Sequence, residues 1–171
     1  AAIYLATGSL RIVDNSTEKG GKLIGVAQNT PYGAVEIAGS GKKALYIEEG
    51  VEVVAPANQY GITVSGAANQ KENQATIELN GCKLSGAGSG IAVNGYVTEG
   101  KAPIIKLDNV TVDVEQHGMY LAGKAETAVV NSEVKGRDVG IEIRAGKLDV
   151  QGESTTIKGG SGNATIGTNG N

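Results

Sequence analysis

Phenylalanine and tryptophan are absent from the 171 residues, and cysteine, methionine and histidine each occur once. An aromatic-centred core is therefore excluded. Apolar packing falls to Ile, Val, Leu and Ala, with six Tyr as the only aromatic residues. The lone Cys82 excludes an intrachain disulfide and supplies no thiolate cluster for a metal. The net charge is only −3 and both signs are interspersed, which leaves no basic field for nucleic acid and no polybasic run for an anionic membrane. No run of about 18 apolar residues is present, so insertion into a bilayer as a helix is not expected. The chain opens directly on an apolar run, Ala1 to Ala6, with no initiator Met and no leader-like segment. It is expected to be a piece of a longer precursor.

Glycine, by contrast, is abundant at 27 residues. It suits tight corners, as β-branched residues suit a pleated surface. The two alternate in a repeat of an apolar residue, any residue, an apolar residue, then Gly after a short step. The copies begin at Ile3, Val35, Ile62, Ile91, Met119 and Ile141 and run to Gly8, Gly39, Gly66, Gly95, Gly123 and Gly146. Four are preceded directly by glycine, at Gly61, Gly90, Gly118 and Gly140. The starts lie 22 to 32 residues apart, shortening towards the C-terminus.

Each interval holds two further period-2 runs. The second set is Leu10/Ile12, Leu45/Ile47, Ile77/Leu79, Ile105/Leu107, Thr127/Val129 and Leu148/Val150. The third is Val51/Val53, Cys82/Leu84, Val110/Val112, Val134 and Ile157. Three short strands per turn, with no sustained 3.6-residue period, predict an all-β fold: a right-handed, single-stranded parallel β-helix with three sheets and about six coils. One coil cannot bury its own apolar edge, and its neighbours do so. Ile3, Val35, Ile62, Ile91, Met119 and Ile141 are then an inward column, beside an outward one of Tyr4, Glu36, Thr63, Ala92, Tyr120 and Glu142. The Asn residues of Asn80-Gly81, Asp108-Asn109 and Asn131-Ser132, between the second and third strands, are expected to hydrogen-bond along the stack. An antiparallel sandwich also gives short alternating strands, but it has no need of an in-phase Gly pattern.

A single domain over residues 1–171 is expected. Its loops lie at Ser16 to Gly21, Gln70 to Gln74 and Tyr96 to Ala102, and 159–171 is a Gly/Asn-rich tail or the start of a further coil. The ends show no capping element. The longer coils lie in the first two-thirds, which is where a binding groove is expected.

Few motifs carry chemistry. Gly39-Ser40-Gly41-Lys42-Lys43 lacks the first Gly of a phosphate loop, Glu36 standing there, and a strand follows it instead of a helix. It reads as a turn with solvated lysines. Gly159 to Gly167 resembles a calcium-binding nonapeptide, but Ala164 stands where the carboxylate is needed and there is one copy. No cofactor or metal is expected. Gln116-His117-Gly118-Met119-Tyr120 resembles the His-Gly segment of polygalacturonases, with Arg144 placed as a substrate-binding Arg. Those enzymes cluster aspartates, and here Asp108 and Asp113 are the only ones nearby. His117 therefore reads as a corner residue before a repeat glycine. A lyase site would draw on Glu36, Glu78, Glu142 and Asp149, which the register spreads over different sheets. Arg137-Asp138 and Glu142/Arg144 read as paired surface charges. Exposed Tyr4, Tyr46 and Tyr120 offer rings for sugar stacking.

Gly118-Met119-Tyr120-Leu121-Ala122-Gly123 and Val139-Gly140-Ile141-Glu142-Ile143-Arg144-Ala145-Gly146-Lys147-Leu148, with Val150 and Ile157-Lys158-Gly159, resemble pectin-lyase-like β-helix domains in surface proteins of Gram-positive, often gut-dwelling, bacteria. The resemblance implies a secreted or wall-attached protein and an adhesin-like or glycan-binding role. The expectation is a monomeric, non-catalytic module with a polysaccharide or host-surface ligand. Tyr4, Tyr120, Glu142, Arg144 and His117 are its candidate binding residues. A lyase or hydrolase acting on an acidic polysaccharide such as pectin, and a trimeric phage tailspike shaft, are the alternatives.

Overall fold

The structure is a computed structural model that describes residues 1–26, 33–39, 41–65, 75–94 and 102–160, and the backbone of strand 166–168. Gly66, Gly95, Ser40, the loop Gln70 to Gln74, Tyr96 to Lys101 and most of the nonapeptide-like segment lie outside the described residues.

Among the described residues nineteen strands form three sheets. Sheet A holds β1 (Ile3–Leu5), β4 (Gly33–Ile37), β7 (Tyr60–Val64), β10 (Ser89–Val93), β13 (His117–Leu121), β16 (Val139–Ile143) and β19 (Ile166–Thr168). Sheet B holds β2 (Gly8–Ile12), β5 (Lys43–Ile47), β8 (Ala75–Asn80), β11 (Ile104–Asp108), β14 (Glu126–Val130) and β17 (Lys147–Gln151). Sheet C holds β3 (Lys22–Ile24), β6 (Glu52–Ala55), β9 (Lys83–Gly86), β12 (Thr111–Val114), β15 (Glu133–Gly136) and β18 (Thr156–Lys158). Each strand pairs in parallel with the one three places along the chain, and no helix occurs among the described residues. The chain is a three-sheet parallel β-helix of about six coils.

The inward column of sheet A runs Ile3–Val35–Ile62–Ile91–Met119–Ile141, as the repeat phase requires. In sheet B, Leu10, Leu45, Ile77, Ile105, Thr127 and Leu148 stack in register. In sheet C, Val53, Leu84, Val112, Val134 and Ile157 do the same. The first member of that third stack, Leu23 on β3, is one the sequence pattern does not single out. These columns form one continuous core. Cys82 belongs to it, and burial pushes its thiol up to about 12, so it behaves as a small hydrophobe and not as a nucleophile.

Thr127 is the exception within the core. It occupies a position flanked by Ile105 and Leu148, and its hydroxyl is buried without a partner. An unmade hydrogen bond in the interior costs about 1–3 kcal/mol. Thr127→Val, nearly isosteric, is therefore expected to stabilise the fold by about 1 kcal/mol, seen as a raised denaturation midpoint. A lowered midpoint would show that the hydroxyl is needed.

The connections between sheets B and C explain the Asn residues. Gly81, Asn109 and Asn131 each follow a sheet B strand and have φ of 65°, 55° and 46°. Asn is the non-glycine residue that best tolerates this left-handed conformation. The hydrogen bonds along this column run through the backbone, from the Gly81, Asn109 and Asn131 N–H groups to the carbonyls of Asp108, Val130 and Gln151. These residues thus serve the turn, and side chains join the stack at Asn131-Ser132, where Asn131 Oδ1 accepts from the Ser154 hydroxyl at 3.3 Å and the Ser132 hydroxyl accepts from the Val110 N–H at 2.9 Å.

Outside sheet C, opposite charges meet between neighbouring strands. Glu52 lies 2.8 Å from Lys22 and 3.5 Å from Lys83, and Asp113 lies 2.9 Å from Lys135. Such cross-strand pairs favour the observed register over slips. At the first corner Asp14 gathers the exposed loop Ser16 to Gly21: its carboxylate accepts backbone N–H groups of Ser16, Gly20 and Gly21.

Two expectations of exposure are corrected. Lys43 is buried, not solvated, and its ammonium donates to the Gly41 carbonyl at 2.7 Å. The rank beside the inward column of sheet A does point away from the core, yet Glu36, Thr63, Ala92 and Glu142 are buried. Burial raises the pKa of Glu36 against the opposing hydrogen bonds from the Gly33 N–H and the Ser65 hydroxyl. Its Oε2 has no partner, nor has the hydroxyl of its register neighbour Thr63.

A carboxyl with a raised folded-state pKa binds its proton more tightly when folded. Its share of stability is therefore full below the ordinary carboxylate range and declines as pH rises through the raised value. The melting-temperature difference between Glu36→Gln and the parent should become more favourable to the variant as pH increases from 4 to 7. A pH-independent difference would refute this.

Candidate functional site

The corner where sheet C passes into sheet A holds a rank of glycines, Gly61, Gly90, Gly118 and Gly140, stacked closely enough that the carbonyls of Gly90, Gly118 and Gly140 each lie against the glycine of the preceding coil. The first residues of the adjoining strands, Tyr60, Ser89 and His117, flank this rank. In β13, Tyr120 follows His117 by three residues. A cleft of about 350 Å³ opens over this region, lined by Asn58, Tyr60, Ser89, Gln116, His117, Tyr120, Glu142 and Arg144.

Glu142 is at its centre. It stacks on Tyr120 in the strand register, and its carboxylate Oε1 accepts the Arg144 Nε–H at 2.8 Å. Its Oε2 lies 3.0 Å from His117 Nε2, which places a proton on that nitrogen. The Arg144 guanidinium carbon is 5.1 Å from the centroid of the Tyr120 ring, within cation–π range. The His117 ring meets Tyr120 edge-on at 5.7 Å. Four side chains from two strands and the residue after β16 thus brace one another. The hydrogen bond to Glu142 raises the pKa of Arg144, which stays charged throughout the working range.

The opposite wall is polar. Ser89 donates its hydroxyl to Gln116 Oε1, and Gln116 Nε2 donates to Asn58 Oδ1, both at 3.3 Å. Asn58 reaches this position from the β6–β7 turn with φ of 58°. Burial pushes the Tyr60 phenol above its ordinary pKa, against a hydrogen bond with Asn94.

Of the five candidates named from sequence, His117, Tyr120, Glu142 and Arg144 line this cleft and Tyr4 does not. Tyr4 stands in the same rank, 61% exposed on β1, four coils from Tyr120 and about 19 Å away at about 4.8 Å per coil. The cleft straddles the end of the long-coil region where a groove was expected: Asn58, Tyr60 and Ser89 lie within that region, and Gln116, His117, Tyr120, Glu142 and Arg144 lie beyond it. Sequence reasoning did not select Asn58, Tyr60, Ser89 or Gln116. The available signal was that Tyr60 and Ser89 precede repeat glycines just as His117 does.

The other charged candidates go elsewhere. Arg137 pairs with Glu115 at 2.6 Å instead of Asp138, Asp113 with Lys135 at 2.9 Å, and Asp108 with Lys106 at 3.4 Å. Glu78 and Asp149 lie on sheet B, Glu78 between Tyr46 and Lys106. Glu142 is the one carboxylate lining the cleft among the described residues, whereas glycoside hydrolysis ordinarily uses a pair. Among the described residues no group of three or more His, Cys, Asp or Glu is placed to hold a metal ion. Comparison with family models, with curated proteins and with solved structures found no match for the chain.

Proposed function

We propose that the chain is a non-catalytic glycan-binding module of an extracellular surface protein, with its binding site in the cleft around Tyr120. The observation that carries this reading is one ring, Tyr120, braced between the Arg144 guanidinium and the His117 imidazole beside amide and hydroxyl groups. A sugar offers an apolar face to a ring and hydroxyls to polar side chains, so this is suitable chemistry. The resemblance to β-helix domains of Gram-positive, gut-type surface proteins supports a secreted or wall-attached location by analogy of fold. The rigid solenoid would then present the cleft at a distance from the cell.

Binding to immobilised glycans should fall at least about tenfold in Tyr120→Ala, the loss expected when a stacked aromatic anchor is truncated. The parent's β-sheet circular dichroism should be retained. Undiminished binding in Tyr120→Ala would sink the proposal, and an array without hits would reduce the chain to a spacer.

A further inference from the structure

Arg144 is paired with Glu142 at 2.8 Å, and Glu142 is the one carboxylate lining the cleft among the described residues. With a neutral imidazole on His117 the lining has no net charge, and the group that suits it is itself neutral. Two of the lining side chains are half used. Asn58 stands exposed at the β6–β7 turn, and its Oδ1 accepts the Gln116 Nε2–H at 3.3 Å, which leaves Nδ2 to donate. His117 gives its Nε2–H to Glu142 Oε2 at 3.0 Å, and its side chain is 29% exposed. Nδ1 of the neutral ring is then left to accept. Neither Asn58 Nδ2 nor His117 Nδ1 has a protein partner among the described residues. Gln116 links the two residues, being next to His117 in the chain and bonded to Asn58.

A hydroxyl carries its donor and its acceptor on one atom, whereas this free donor and free acceptor belong to different coils. Asn58 precedes β7 and His117 begins β13, two coils further on, about 9.6 Å at about 4.8 Å per coil. A trans secondary amide suits such a separation. Its N–H and C=O point in opposite directions, and partners bonded at its two ends stand about 8 Å apart. Glycans carry this group as the acetamido substituent, whose methyl is apolar enough to lie on an aromatic ring.

We infer that the cleft recognises an N-acetylated sugar through its acetamido group. His117 Nδ1 accepts the acetamido N–H, and Asn58 Nδ2 donates to the carbonyl. The methyl lies against the Tyr120 ring, which meets the imidazole edge-on at 5.7 Å. This rests on the glycan-binding reading above.

The test is an array of immobilised oligosaccharides of N-acetylglucosamine and N-acetylgalactosamine. Each is matched to counterparts of the same linkage with a hydroxyl or a free amine in place of the acetamido group. It is run at pH 8, so that the neutral imidazole is the form tested. Acetamido members should bind the parent chain at least about tenfold more tightly than both counterparts, as two added hydrogen bonds imply. Asn58→Asp keeps an oxygen for Gln116 and tolerates the φ of 58°, but sets a carboxylate oxygen where the donor stood. It should bring acetamido and hydroxyl members within about twofold. His117→Phe, which keeps a ring beside Tyr120 and lacks the acceptor, should do the same. Asn15→Asp, the same change at an exposed position outside the cleft, should leave the preference intact.

Equal binding of acetamido and hydroxyl members overturns the inference and leaves the glycan reading standing. So does an acetamido preference that survives both cleft variants or vanishes in Asn15→Asp. Tighter binding of the free amines would show that the cleft selects charge, and the inference fails. An array without hits removes both readings.

Discussion

Gly118→Ala is expected to cost about 3 kcal/mol, enough to remove much of the stability of a domain this size. The reason is backbone proximity. A Cβ at Gly118 would overlap the carbonyl oxygen of Gly140 and stand 2.6 Å from Val134 Cγ1. Neither neighbour can yield cheaply: one is main chain in the next coil, and the other is fully buried in the sheet C column. The measurement is the denaturant midpoint, with Gly21→Ala as the comparison. The Cβ of that variant would come no closer than 3.4 Å to Asp14, and it is expected to change stability by less than about 1 kcal/mol. Equal midpoints for the two variants would remove the close-approach argument. Because Gly118 lies between His117 and Met119, the same substitution should also disturb the cleft.

Ile91→Ala is expected to cost about 3–4 kcal/mol, the usual range for deleting a fully buried aliphatic side chain. Ile91 is 0% exposed and lies midway along the sheet A column, between Ile62 and Met119. In a solenoid each coil contacts only its neighbours, so the cavity has few elements that can collapse into it. The damage should also be local. Hydrogen exchange should quicken first at the amides of β7, β10 and β13, while β2, β3, β17 and β18 keep their relative protection. Uniform acceleration over all coils would show that the chain unfolds as one cooperative unit.

The columns were legible in sequence because two periods coincide. A strand alternates every second residue, and the corner glycines restart that alternation in each coil. Ile3, Val35 and Ile62 thus announce a shared column although they are far apart in the chain. Exposure was less legible, because it depends on what lies over a residue and not on its phase. Glu36, Thr63 and Lys43 have the sequence character of surface positions, and only the folded chain shows them enclosed. The cleft was half legible. His117, Tyr120, Glu142 and Arg144 lie on neighbouring coils and stood out as unusual residues within the repeat. Gln116 and Asn58 meet across 58 residues of sequence, through a contact between two turns that no local pattern encodes.

The restart at each corner has a consequence for how the molecule tolerates change. Coil starts are spaced unevenly along the chain, yet Ile3, Val35, Ile62, Ile91, Met119 and Ile141 keep a common register. Length variation is therefore discharged into the loops and is not carried forward. The fold behaves like text with frequent paragraph marks, in which an insertion disturbs its own line and the next begins in place. A lineage of such chains can lengthen a loop or exchange a side chain around the cleft while every other column keeps its phase.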